Sequence, residues 1–112
     1  MKLENTKAQM RKGVLELCIL STIAEGEIYS TDIIKKLKES GLIVVEGTLY
    51  PLLTRLKNTG LLTYRWEESE RGAPRKYYQI TEIGEEFLQG LIETWNELLN
   101  AVNQSTKNIT SK

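Results

Sequence analysis

Residues 47–78 constrain the fold of this chain more than any other segment. They contain a short amphipathic helix, a glycine, a strand, a basic turn and a second strand, in that order. The helix has leucines at positions i, i+3, i+4 and i+7, which lie on one helical face: Leu49, Leu52, Leu53 and Leu56. A helix followed directly by a two-stranded hairpin with a basic tip is the outline of a winged helix-turn-helix. The sequence therefore predicts an α+β, mainly helical fold, namely a winged helix-turn-helix with an added C-terminal helix.

The boundaries within this segment follow from its capping and turn residues. Thr48 is the expected N-cap, which puts Pro51 in the first turn, where backbone N–H groups have no intrahelical partner. Strands are predicted over Leu61–Glu67 and Arg75–Thr81, because apolar side chains alternate with polar ones there. Residues 68–74 form the predicted turn between the two strands.

Two helices precede this segment. The first is predicted over Lys7–Glu25, and its apolar residues cover nearly all azimuths, a pattern typical of a helix buried on more than one side. In so small a chain, a partner subunit most easily covers the second side. The next helix opens at residues 29–32, where Ser30 and Thr31 are the N-cap candidates. Leu42–Val45 is a β-prone connection into the third helix.

The last helix carries the widest apolar face. Thr81 is its expected N-cap, and glutamates lie near its positive end. One stripe runs along it, spaced by three or four residues: Ile83, Phe87, Leu91, Trp95, Leu98 and Val102, widened by Leu88, Ile92 and Leu99. No other segment remains to cover this face, and a two-fold related copy would cover it. The predicted organisation is a winged helix-turn-helix domain over residues 1–81, a dimerisation helix over 82–103 and a polar, frayed tail over 104–112.

The single cysteine and the absence of histidine exclude several kinds of site. Cys18 cannot form an intramolecular disulfide, and a zinc site of the usual cysteine/histidine kind cannot be built. A histidine base for a nucleophile is also missing. The chain has no phosphate-binding loop and no paired carboxylates at a recognisable spacing, so an enzyme is the weakest hypothesis, and neither a cofactor nor a metal is expected. Cys18 is interpreted as a small buried hydrophobe, with a redox sensor as the alternative.

The formal net charge of the chain is zero, but the charge is unevenly distributed. Residues 1–81 carry a net charge of +3 and residues 82–112 a net charge of −3. The mildly basic first part indicates a localised patch for nucleic acid, to which binding should weaken with salt. No apolar run approaches the roughly 18 residues of a membrane span, and the N-terminus lacks the apolar centre of a signal peptide. A cytoplasmic location without a membrane partner is therefore expected.

Candidate DNA contacts lie on the third helix, opposite its leucines, and on the hairpin. The helix candidates are Thr48, Tyr50, Pro51, Thr54, Arg55 and Asn58, and the hairpin candidates are Arg71, Arg75 and Lys76. Side chains of these types read base edges and hold phosphates. Glu67, Glu68 and Glu70 flank the hairpin tip and oppose close approach to DNA. The alternative is an ordinary solvated helix face beside a solubilising turn, and Trp66 is expected to pack under the hairpin.

The runs GTLYPLLTRL, GLL and GAPRKYYQIT, followed by a terminal helix, closely resemble the PadR family of bacterial transcriptional regulators. The resemblance covers about residues 12–100, and the single short C-terminal helix is similar to that of the smaller PadR subfamily. It implies a homodimeric winged-helix repressor that binds palindromic operators and is released by a small molecule. One departure is visible: the second helix of such proteins often begins Tyr-Gly-Tyr-acidic, whereas residues 29–32 read Tyr-Ser-Thr-Asp.

A narrower resemblance concerns the last helix. Some small PadR-like multidrug regulators place a tryptophan midway along it, and the two copies sandwich flat aromatic compounds across the dimer. Trp95 falls at the matching place, and facing tryptophans stack planar rings and favour cations. The residues expected at the effector site or dimer core are Trp95, Ile92, Leu91, Leu99 and Leu17. The alternative is that Trp95 only fills the dimer core.

Two further functional classes remain open from the sequence. A winged-helix protein-interaction module would need no nucleic acid and would show no retention on DNA. An enzyme is the third class. Salt-sensitive binding to a palindrome separates the regulator from both.

Overall fold

The computed structural model describes residues 2–70 and 72–110 of the chain. Its elements, in chain order, are α1 (Leu3–Ala24), β1 (Ile28–Tyr29), α2 (Ser30–Glu39), α3 (Glu46–Asn58), β2 (Leu62–Ser69), β3 (Gly72–Ile80) and α4 (Glu82–Thr110). The predicted α+β, mainly helical winged helix-turn-helix with an added C-terminal helix is confirmed. No helix in the described part of the chain has the length and apolarity needed to cross a membrane.

The three strands form one antiparallel sheet in the order β1-β3-β2. The hairpin of β2 and β3 is longer than predicted, because most of the residues expected in the turn belong to its strands. The pairing register shifts between Glu67 and Ser69, opposite the segment that contains Pro74. A proline cannot donate to a strand ladder and is tolerated at such a bulge. The proline therefore shapes the hairpin without ending the strand.

β1 lies in a segment for which the sequence pattern predicts no strand. β1 has two residues, of which Ile28 pairs with Tyr78 and Tyr29 with Tyr77. Two residues are too few to display a period of two. The predicted β-prone connection at Leu42–Val45 contains no strand.

The apolar core is formed by α1, α2, α3, the inner face of the sheet and the first half of α4, where Leu88 is buried. The expectation that no other segment of the chain covers the α4 face is therefore wrong for this half of the helix. The most completely buried side chains of the core are Ile19, Leu20, Ile23, Ile33, Leu49 and Leu53. Of the four leucines predicted to anchor α3, three are buried and Leu52 is half-buried. Full burial of one such side chain contributes roughly 1.5–3 kcal/mol, so the inward face of α3 is fixed by its own sequence pattern. Cys18 is half-buried against the same core, and this burial raises the pKa of its thiol.

The starts of α2 and α3 differ from the predicted ones. α3 begins at Glu46, and the Val45 carbonyl accepts hydrogen bonds from the backbone N–H groups of Thr48 and Leu49, both at 3.0 Å. Thr48 is therefore inside the helix, and Pro51 lies one turn deeper than expected. Glu46 favours this earlier start because a carboxylate in the first turn faces the positive end of the helix dipole.

α2 begins directly after β1, with Tyr29 at its N-cap position and no side-chain cap. The predicted caps Ser30 and Thr31 lie inside the helix instead. Ser30 is buried, and its hydroxyl donates to the hydroxyl of Tyr50 at 3.4 Å. A tertiary hydrogen bond has thus replaced the expected local one.

The N-terminus of α4 is anchored as predicted by Thr81. The Thr81 hydroxyl accepts a hydrogen bond from the Gly84 N–H at 3.0 Å and donates to the Gly60 carbonyl at 2.7 Å. Gly84 allows a close approach, because a Cβ there would overlap the carbonyl oxygen of Leu61. The first turn of α4 is therefore held directly against the end of the connection between α3 and β2.

Both terminal helices are longer than predicted. α1 begins at Leu3 rather than near residue 7, and α4 continues to Thr110 rather than ending near residue 103. The described part of the polar tail is thus helical. At about 1.5 Å per residue, α4 is roughly 44 Å long, against a longest dimension of 57 Å for the molecule. Residues 93–105 are all exposed, so this half of α4 projects beyond the rest of the chain.

Candidate nucleic-acid interface

The outer face of α3 carries all six side chains predicted there. Thr48, Tyr50, Pro51, Thr54, Arg55 and Asn58 are exposed. Thr48, Pro51 and Arg55 line a groove between α3 and α1. Tyr50 and Thr54 are four residues apart and are therefore neighbours on the helix surface. The buried leucines beneath them hold the helix, so its outer face keeps a fixed orientation.

Arg55 does not stand free on this face. Its guanidinium forms an ion pair with the carboxylate of Glu16 on α1. The Arg55 side chain is 58% exposed and that of Glu16 only 33%, so the acid is the more sheltered partner. The pair lies beside an open groove of about 620 Å³ between α1 and α3, lined also by Lys12, Thr48 and Pro51.

Tyr50 is tethered at the other edge of the face. Its ring is 40% exposed, while its hydroxyl accepts the hydrogen bond from Ser30 at the start of α2. The tyrosine therefore offers a partly exposed ring whose hydroxyl is directed towards α2.

The outer face of the sheet carries a stack of cations and aromatic rings. The Arg75 guanidinium lies 4.9 Å from the centre of the Tyr29 ring, and the Arg65 guanidinium lies 5.1 Å from that of Tyr77. The two tyrosine rings are 5.9 Å apart. Arg75 is exposed, so a cation–π contact orients it without removing it from solvent.

Glu27 links all three strands on this outer face. Its carboxylate accepts hydrogen bonds from Arg65 Nε at 2.8 Å, from a terminal Arg65 nitrogen, and from Gln79 Nε2 at 2.8 Å. The Arg65 hydrogen bond lowers the pKa of the Glu27 carboxyl, and the carboxylate raises the pKa of Arg65. Sequence reasoning missed this network, because Glu27 precedes a strand of two residues that has no detectable pattern. The Arg65 guanidinium is therefore occupied by hydrogen bonds within the protein and is not a candidate contact for a ligand.

Lys76 lies on the opposite face of the hairpin from Arg75. Its ammonium is 4.5 Å from the centre of the Tyr64 ring and 5.1 Å from that of Trp66. Trp66 is 59% exposed, so the expectation that it packs under the hairpin is wrong. The hairpin extends beyond the core at this point, and the tryptophan rests edge-on against Tyr64 instead.

The hairpin tip is acidic in its described part. Glu67, Glu68 and Glu70 are all exposed, and Glu67 forms an ion pair with Arg65 at 3.5 Å. Arg71, the third predicted hairpin contact, lies outside the described residues. The described cations on the hairpin are thus set back from the tip.

The residues predicted for an effector site or dimer core are divided between two environments. Leu17, Leu91 and Ile92 are half-buried against the core. Trp95 and Leu99 lie farther along α4, with 41% and 40% of their surfaces exposed. Among residues 2–70 and 72–110, no group of three or more histidine, cysteine or acidic side chains could hold a metal ion.

The sequence profile of the transcriptional regulator PadR-like family matches residues 19–90. A PadR-like transcription factor from Bacteroides fragilis is 59% identical, and its crystal structure matches 89% of this chain and 97% of its own with a TM-score of 0.76. The transcriptional regulator Rv3488 of Mycobacterium tuberculosis is 29% identical over 106 residues, 91% of this chain and 98% of that protein. Bacillus subtilis PadR, solved in complex with operator DNA, is 27% identical with a TM-score of 0.66, over 70% of this chain and 46% of that one.

The matched profile includes most of the core, the whole of α3 and the hairpin, and the anchored start of α4. The elements that the relatives share with this chain are therefore those that position the candidate interface. This chain belongs to the PadR-like family of transcriptional regulators.

Proposed function

We propose that this chain is a homodimeric repressor that binds double-stranded operator DNA and is released by a small planar aromatic effector. In each protomer, α3 enters the major groove and the β2–β3 hairpin lies along the flanking phosphates. Residues 1–81 supply the DNA contacts, and α4 supplies the dimer contact together with α1. The effector binds between the two copies of Trp95.

The exposed face of α3 is the observation that carries this proposal. Apart from Pro51, its six outward side chains are polar, aromatic or basic, whereas Leu49, Leu53 and Leu56 on the inward face are buried. A helix held in this way beside a hairpin with cationic side chains fits the groove and backbone of a duplex. The operator DNA in the Bacillus subtilis PadR complex supports the same role for this chain.

DNA binding by this protein should depend on a few contacts at defined positions and not on the net charge of the chain. The chain has no net charge, and the acidic side chains near the hairpin tip oppose deep insertion. A two-fold dimer presents two copies of α3, so its operator should be a palindrome with half-sites about 34–36 Å apart. Each phosphate contact adds about 0.9 to the slope of log affinity against log salt concentration.

Selection of binding sites from a random duplex pool, followed by affinity measurements at graded salt, tests this function. We expect a palindromic consensus and a steep loss of affinity with salt. A winged-helix protein-interaction module is the alternative function. It predicts no enrichment of any sequence and no retention of the protein on DNA.

The dimer contact rests on the apolar stripe of α4. Its outward members include Phe87, Trp95, Leu98 and Val102, all of them exposed in the single chain. Monomeric proteins rarely expose so continuous an apolar surface. A two-fold copy would cover it with an identical stripe.

The effector assignment rests on Trp95, whose ring lies within this stripe yet beyond the core. Two copies facing each other across a two-fold axis would stack a planar ring and favour a cationic one. The competing role for Trp95 is to fill the dimer interface without binding a ligand. Both roles require the dimer, so they differ only in their response to a ligand.

Fluorescence in a Trp66→Phe background separates these roles, because Trp95 is then the only tryptophan of the chain. We expect a planar cationic dye, added without DNA, to quench this emission in a saturable manner. The Trp66→Phe/Trp95→Phe dimer has no tryptophan and is the control for dye binding elsewhere, which is read from the emission of the dye itself. If a Trp95→Ala dimer still releases operator with its natural inducer, Trp95 is not part of the effector site. Loss of dimer formation in that variant would favour the packing role.

A further inference from the structure

Glu16 on α1 contacts the outer face of α3. Its carboxylate forms the ion pair with Arg55, and Arg55 is the only basic side chain among the six candidate contacts of α3. Glu4, the other acid of α1, lies three turns away and pairs with Lys7 at 3.5 Å. Glu16 is therefore the acid of α1 that reaches the interface.

The Glu16 carboxylate and a DNA phosphate are alternative partners for the same guanidinium. Both are planar or tetrahedral oxyanions that accept paired N–H bonds from arginine. The Glu16 side chain is more sheltered than that of Arg55, so solvent and salt screen it less than they would a fully exposed acid. Arg55, on the more exposed side of the pair, is the partner that can swing outwards.

We propose that Glu16 competes with DNA phosphate for Arg55 and thereby sets the affinity and salt dependence of operator binding. This inference rests on the proposed DNA-binding function. In the free protein, Glu16 holds Arg55 against α1. In the complex, the guanidinium leaves the carboxylate and binds a phosphate. The free energy gained from the phosphate contact is reduced because the ion pair with Glu16 is lost. Glu16 is in this sense a positioning residue that acts through Arg55.

A double-mutant cycle on the full-length protein tests the competition. Operator affinity is measured for the wild type, Glu16→Gln, Arg55→Gln and the double variant at low and high salt. We expect Glu16→Gln to bind about 2–5-fold more tightly at low salt, in line with the strength of a partly exposed ion pair. The increase should disappear in the Arg55→Gln background. Glu4→Gln, which removes the same charge from the same helix, is the matched control and should change affinity little.

Three outcomes would overturn the inference. Weaker binding by Glu16→Gln would mean that the carboxylate orients Arg55 for DNA and does not compete with it. An equal increase in operator affinity when Glu16→Gln is made in the Arg55→Gln background, or when Glu4→Gln is made alone, would mean that negative charge repels DNA in general. Circular dichroism and dimer mass of each variant exclude misfolding. If the wild type itself binds no operator, the proposed function fails, and that result is visible without any variant.

Discussion

Simultaneous replacement of Arg55 and Arg75 by alanine is expected to lower operator affinity by about 100-fold or more, because each side chain contributes roughly 1–3 kcal/mol and occurs twice in a dimer. Arg55 is exposed on the outer face of α3, and Arg75 is exposed on the hairpin, where it stacks on Tyr29. The dimer should be unaffected, since neither side chain lies on the stripe of α4. The measurement is operator affinity at several salt concentrations together with the mass of the free protein.

The salt slope adds a second readout for this pair. Each phosphate contact that is lost should reduce the slope by about 1. Arg75→Lys preserves the charge and should retain much of the binding if Arg75 contacts a phosphate. Lys107→Ala removes a cation near the end of α4 and is the control for a general effect of charge. Unchanged affinity of the double alanine variant would refute the assignment of these residues to the DNA interface.

The sequence pattern was sufficient for the parts of the fold that depend on local periodicity. The four-residue leucine pattern of α3 predicted which face is buried, and Thr81 predicted where α4 begins. In both cases the signal lies within one turn or two of one helix. Such patterns can be interpreted without knowledge of the neighbouring elements.

The errors arose where a distant residue decides the local structure. Ser30 was expected to cap α2 but is buried and bonds with Tyr50, twenty residues away. Trp66 was expected to pack under the hairpin, but the hairpin is longer than its turn residues indicate, and the side chain is 59% exposed. The two-residue strand β1 exists only because β3 provides its partner.

The candidate site was predictable in its composition but not in its internal contacts. Exposure of all six outer side chains of α3 follows from the helical wheel. The partners of the arginines do not, because Glu16 is 39 residues from Arg55 and Glu27 is 38 residues from Arg65. These acids decide which cations are available to a ligand. Arg65 is held by Glu27 and Glu67, whereas Arg75 contacts only an aromatic ring among the described interactions.

A charged residue in the exposed stripe of α4 is expected to separate the proposed dimer. Leu98 is 53% exposed and lies in the projecting half of the helix, where no core residue covers it. In Leu98→Glu, a carboxylate would be buried against its own two-fold copy, and burial of unpaired like charges is strongly unfavourable. The fold of the protomer should survive, because residues 93–105 are exposed throughout.

The mass in solution and the operator affinity together test this substitution. We expect the wild type to have the mass of two 12.8 kDa chains and Leu98→Glu the mass of one. Operator affinity should fall by about 10²–10⁴-fold, because a monomer engages one half-site and loses the effective concentration that links the two. Asn100→Glu adds the same charge on the opposite side of α4 and should remain a dimer with unchanged affinity. A dimeric Leu98→Glu would show that the stripe of α4 is not the dimer contact, and the pairing of protomers would then have to be sought on α1.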